Sequence, residues 1–202
     1  MSNSNYSASM VSCLFWFQET RKTAELIYSG CSAQEIREKA VTDNIYQVRS
    51  PDRAVRIVGV SFKRLAALNE ELLSQFIQAD IKTAKLILLL AIMKTDLLFY
   101  EFMHTVFKQT VVLGQKSLSD SNINVFFDSK ISESAEVAAF SESAIKKLKQ
   151  TYVKFLIEAN ILTSAKDKYV QMPMIDYRLH AIIKEAGFLP YLSTLTGEEE
   201  NG

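Results

Sequence analysis

Six glycines and three prolines in 202 residues leave this chain few places to turn sharply. Glycine supplies the backbone conformations that tight turns need, and proline interrupts helices and sheet interiors alike. An all-β fold needs a turn roughly every 8–12 residues. The scarcity therefore predicts a mainly α fold, a multi-helix bundle. With 48% hydrophobic residues the chain has enough apolar material to bury a core, which excludes bulk disorder.

Helix punctuation divides the chain. A first helix is expected over 11–29, stopped at Gly30 by a left-handed cap. Ser32 and Glu35 have the spacing of a capping box and open a short helix to about Val41. Ser50, Pro51 and Asp52 mark a strong helix start, which extends to Leu68 with Ala54, Val55, Val58, Phe62, Leu65 and Leu68 facing inward. Gly59 inside this helix suggests close packing against a neighbour. Helices are expected next over 70–78, 81–93 and 96–113. The apolar run 86–93 rises only about 12 Å as a helix, against a hydrocarbon core of about 30 Å, so it reads as a buried core helix and not as a membrane span.

A change of pattern at 114–117 suggests a soft boundary between a helical region over 11–114 and a second region over 115–194. The ends, 1–10 and the acidic 195–202, read as disordered. In the second region Ser121, Ser132 or Ser134, and Ser141 with Ser143 mark three helix starts, the last helix reaching Asn160. Two short runs at 161–164 and 168–172 read as a small β-hairpin, and a further helix is expected over 175–186.

The search for chemistry comes back empty. The chain has no glycine-rich phosphate loop ending in Lys-Ser or Lys-Thr, no dinucleotide-binding glycine fingerprint and no His-Glu-x-x-His zinc motif. His104 and His180 are far apart, and a lone histidine on a helix is more often structural than catalytic. Asp96 and Glu101, five apart, do not share a face and read as solvated. Cys13 and Cys31 make neither a disulfide framework nor a zinc set, which fits a reducing cytoplasm. The polar N-terminus has no basic residue before its first apolar run, so a secretory signal is not expected. No enzyme, cofactor or metal is expected from these features.

Two helices concentrate positive charge in a chain whose 23 acidic and 23 basic residues cancel. Arg49, Arg53, Arg56, Lys63 and Arg64 face only Asp52 between 49 and 64, a net +4. Lys146, Lys147, Lys149 and Lys154 face only Glu142 between 141 and 155, a net +3, with Gln150 beside them. The order helix, short helix, turn, long helix, hairpin is that of a winged helix-turn-helix. Cations and an amide opposite an apolar stripe are what a major-groove helix needs. Lys166 and Lys168 on the hairpin tip would reach the flanking backbone. Each cluster alone is as readily a solvated helix face, and a protein–protein adaptor is the competing reading. RNA binding ranks lower, since no aromatic stacking surface is interleaved with the cations.

The residues also carry a family resemblance. Glu19, Ala24, Tyr28-Ser-Gly-Cys-Ser32, Glu35-Ile-Arg37, Asn44, Arg49-Ser50, Arg56, Arg64-Leu65 and Leu68 resemble the BrxA family of BREX phage-defence systems. Phe126-Phe127, Ser141, Lys147-Leu-Lys-Gln150 and Leu156-Ile-Glu-Ala159 resemble its second half. The similarity spans roughly 14–190 and lies in order and spacing. It implies a small, non-enzymatic, helical component that binds double-stranded DNA through helix-turn-helix and wing elements. It also implies action beside a methyltransferase and an ATPase. Some members are described as inner-membrane proteins, which the short apolar run argues against.

Overall fold

The computed structural model describes residues 6–198 and is mainly helical. In chain order the helices are α1 (Phe17–Tyr28), α2 (Ala33–Thr42), α3 (Pro51–Leu65), α4 (Glu70–Gln78), α5 (Ile81–Thr95), α6 (Leu97–Phe102), α7 (Lys108–Val112), α8 (Asp120–Glu133), α9 (Ala135–Ala138), α10 (Glu142–Glu158), α11 (Tyr177–Glu185) and α12 (Leu189–Thr196). The main core draws residues from Met10 to Leu195, on both sides of Gly114. At its centre is α5, buried at Ala84 and at every residue from Leu86 to Met93. A helix apolar all round has to be wrapped on every side, and α3, α4, α6 and α12 pack against it.

Most caps sit where the sequence places them, but Ser119 and not Ser121 caps α8, accepting from the Ser121 amide. Ser32 and Glu35 form the reciprocal capping box of α2. Ser50 Oγ accepts from the Arg53 amide, with Pro51 in the first turn of α3. Gly30 closes α1 at φ +90°, where the Cys31 amide donates back to the Leu26 carbonyl.

The expected helix over 11–29 is broken. Residues 8–11 form one 3-10 turn, and α1 starts only at Phe17. Phe15, Trp16 and Phe17 are all buried. Three consecutive aromatics spread about 200° around a helix and cannot share one buried face. An irregular segment resolves this: Phe15 and Phe17 enter the main core, while Trp16 enters a second cluster with Cys13, Ile36, Tyr46, Ala54, Ile57 and Val58. Residues 6–10, read as disordered, also make contacts. Met10 is buried, and the Tyr6 hydroxyl donates to Glu101. Residues 1–5 and 199–202 lie outside the described part.

The helix expected over 96–113 runs through a π-helical turn at Met103–Phe107. Its buried residues are Leu98, Phe99, Phe102, Met103, Val106, Phe107 and Thr110, pairs repeating every four residues. Each four-residue step overshoots a 3.6-residue turn by roughly 40°. A wider turn brings the stripe back into line with the core.

Two corrections concern backbone and packing. No strand forms among the described residues. In place of the hairpin wing there are isolated antiparallel bridges, Leu162 with Val170 and Ser117 with Tyr169. The segment around 168–171 is held between 116–118 and 161–163, so it is pinned to the body and not extended as a free two-stranded tip. Gly59 does not serve close packing, because a Cβ there would meet nothing within 4 Å.

At the heart of the core Tyr152 packs against Phe99, Phe102 and Phe127. Its hydroxyl has no hydrogen-bond partner, and burial pushes the phenol well above its ordinary pKa. An unpaired buried hydroxyl costs about 1–3 kcal/mol. The Tyr152→Phe variant is therefore expected to be more stable than the parent by about 1 kcal/mol. Urea unfolding checks this, and a less stable variant would show that the hydroxyl is satisfied.

Candidate nucleic-acid interface

Eight residues, 43–50, join α2 to α3. Asn44 and Gln47 adopt left-handed backbone there, and the Asn44 side chain accepts from the Val48 amide. A helix-turn-helix joins its helices through about three or four residues, so this link is looser than that motif. By contrast, only residues 139–141 separate α9 from α10. Ser134 caps α9 and Ser141 caps α10, each accepting an amide from the first turn.

The structure sorts the predicted cations. Arg49, Arg53, Arg56 and Lys63 are exposed along the start and outer face of α3. Arg64 is not available to a ligand: it is 3% exposed and donates to the carbonyls of Phe15 at 2.6 Å and Leu14 at 2.9 Å. Its guanidinium also lies 5.8 Å from the Phe155 ring centroid. Burial pulls its pKa down to about 10, so it stays charged at neutral pH. Arg64 is a structural bolt for the irregular segment before α1.

On α10, Ile145, Leu148, Thr151, Tyr152, Val153, Phe155 and Leu156 face inward, and Lys146, Lys147, Gln150 and Lys154 face solvent. Lys154 pairs with Glu158 at 3.7 Å. Lys149 is half-buried, donating to Asn124 at 2.8 Å beside the Phe127 ring. Lys166 is exposed on the 164–167 turn. Lys168, expected at a wing tip, is 8% exposed and pairs with Asp120 at 3.0 Å. With no wing to carry it outward, Lys168 ties the loop to α8.

Two acids also differ from expectation. Asp96 caps α6 by accepting from the Phe99 amide, and burial raises its carboxyl pKa. Glu101 accepts from Tyr6 and pairs with Lys130 at 3.0 Å. Burial also raises the Cys13 thiol, the opposite of what a nucleophile needs. Among the described residues no three His, Cys, Asp or Glu side chains group as a metal site. No helix among them is long and apolar enough to cross a membrane.

Helices wrapped on a buried α5, with exposed cations on α3 and α10, define a small, mainly helical protein. The BrxA family model matches residues 4–187. The BREX protein BrxA of Bacillus cereus (strain H3081.97) is 34% identical over 96% of this chain and 97% of its own length. The BREX protein BrxA of Escherichia coli O9:H4 (strain HS) is 24% identical over 90% and 85%. The chain belongs to the BrxA family. A crystal structure of an uncharacterized protein from Magnetospirillum magneticum shares the fold, with a TM-score of 0.81 over 96% of this chain and 99% of that one at 16% identity.

Proposed function

We propose that this chain is a non-enzymatic component of a BREX-type bacteriophage-defence system that binds double-stranded DNA, acting beside other BREX proteins such as the methyltransferase and ATPase. The membership of that system rests on the family and its named relatives. The DNA reading rests chiefly on one observation: α10 follows a three-residue turn and turns Lys146, Lys147, Gln150 and Lys154 to solvent, opposite its buried stripe. Phosphate neutralisation by such side chains supplies most sequence-independent affinity. Arg49, Arg53, Arg56 and Lys63 on α3 offer a second cationic face.

With roughly 4–7 phosphate contacts, the log–log slope of affinity against salt is expected at about −4 to −6. Fluorescence anisotropy with a labelled duplex at several salt concentrations measures it, with single-stranded DNA and RNA alongside. A flat salt dependence would remove the cationic helices as contact surfaces.

The adaptor reading draws on a different feature. Met174 is 96% exposed and Tyr177 is 90% exposed, with Tyr169 and Met172 also exposed nearby in sequence. Flexible methionines and exposed aromatics suit a protein-contact surface. Co-purification with a BREX subunit that is lost in a Met174→Ser, Tyr177→Ser variant, with no duplex binding by the parent, would favour it.

A further inference from the structure

Between α8, α10 and the segment 165–168 runs a groove of about 420 Å³. It follows α10 from Lys149 to Ile157, about 12 Å or roughly two helical turns. Its apolar lining is Ile123, Val153, Ile157 and Ala165. Ile123 and Val153 are buried, but Ile157 is half-buried and Ala165 exposed, so part of this apolar surface meets water. Concave, mainly apolar spaces of about 300–1,000 Å³ are where ligands settle.

The charge around the groove is a separate observation. Three lysines line it, Lys149, Lys154 and Lys168, against one carboxylate, Asp120. Asp120 is taken by Lys168, and Lys154 meets Glu158. Lys149 is left over. It is half-buried, and its ammonium donates to the neutral amide of Asn124, which also lines the groove. Among the described residues no carboxylate pairs with Lys149. A partly desolvated ammonium without a counter-ion, beside an open apolar surface, favours an acid brought from outside.

We propose that this groove docks a short segment of a partner protein in which bulky apolar side chains are flanked by Asp or Glu. Apolar anchors at helical spacing span about two turns in a helix-in-groove contact, which is the length of this groove, and an acid beside them reaches Lys149. A duplex backbone suits the seat less, because its phosphates would lose water against the apolar lining and gain nothing from it. The inference goes beyond the DNA reading and does not need it, although Lys154 belongs to both surfaces.

A library of short random peptides is selected on the full chain, and the leading peptide is labelled and titrated by anisotropy without DNA. Acids among bulky apolar residues are expected in the selected peptides. Ala165→Trp fills the groove while keeping every cation, and Lys149→Gln removes the unpaired charge while keeping a partner for Asn124. Each variant is expected to melt with the parent and to bind the peptide about tenfold more weakly or worse. Replacing the peptide's acids by their amides should cost a similar factor. Selection of peptides without this pattern, or a peptide that binds both variants as it binds the parent, would overturn the proposal. Loss of duplex affinity in Ala165→Trp with no peptide selected would give the groove to DNA instead. With no duplex in the titration, a chain that binds no DNA can still meet the expectation, and one that binds no peptide leaves the DNA reading intact.

Discussion

Replacing Arg64 with alanine is expected to destabilise the protein by about 3 kcal/mol, the loss of two charge-assisted hydrogen bonds and of buried side-chain volume. For a chain of this length that lowers the melting temperature by roughly 10 °C. The guanidinium donates to two successive carbonyls, Leu14 and Phe15, in a segment that has no helix of its own to satisfy them. That segment places Phe15 against Phe155, with ring centroids 5.7 Å apart, and Trp16 in the second cluster. Arg64→Lys keeps the charge but loses the fork, so it should recover less than half of the loss. Thermal melts with urea unfolding check both variants, and Trp16 emission should shift red in the alanine variant as its segment loosens. An Arg64→Ala protein melting within 2 °C of the parent would mean that the carbonyls find water or another donor at little cost.

Arg64 also marks where the sequence misleads. Helical spacing on α3 suggested a stripe through Val55 and Phe62, yet the buried side holds Ala54, Ile57, Val58, Ser61, Arg64 and Leu65. Two polar residues lie in that stripe because each has a partner across the interface: Ser61 with Thr20, and Arg64 with the backbone before α1. A hydrophobicity pattern carries no record of such partners. Local signals served better. The serine caps at 32, 50, 134 and 141, the bounds of α4 and the burial of 86–93 follow from side-chain chemistry within one turn or one run. The break at 12–16 was legible in principle, in three consecutive aromatics that one helix face cannot bury. The four-residue repeat from Leu98 to Thr110 likewise carried the π-helical turn. α12 was missed because Gly187 looked final, although Pro190 fits a helix first turn.

The same limit governs the candidate interface. Counting cations placed charge on α3 and α10 but could not say which side chains were already engaged. Arg64 and Lys168 are spent on the fold, and Lys149 is tied to Asn124. The partners that engage Arg64, Lys149 and Lys168 lie 25 to 50 positions away in the sequence. Long-range pairing of this kind is invisible to a local window.

The exposed cations that remain give the largest functional forecast. Lys146, Lys147 and Lys154 replaced together by alanine remove three exposed cations from α10, and Arg49, Arg53 and Arg56 replaced together remove three from the start of α3, where Lys63 remains. All six are exposed, and alanine is the best helix former, so both triple variants should keep parental helicity and melt within a few degrees of the parent. Lys154 alone gives up an ion pair, the 3.7 Å contact with Glu158, worth about 0.3–0.5 kcal/mol on an exposed helix. If each cation neutralises one phosphate, losing three makes the salt slope shallower by about 2.7. At about 50 mM salt the same counterion argument lowers duplex affinity by roughly a hundredfold or more. Anisotropy titrations of the parent and both variants over a salt series decide between the faces. Loss at α10 alone makes it the groove-facing helix and removes α3 as a contact surface. Loss at both means that the duplex spans the two helices. Parental affinity and slope in both folded variants would end the DNA-binding assignment of these faces and leave the adaptor reading in its place.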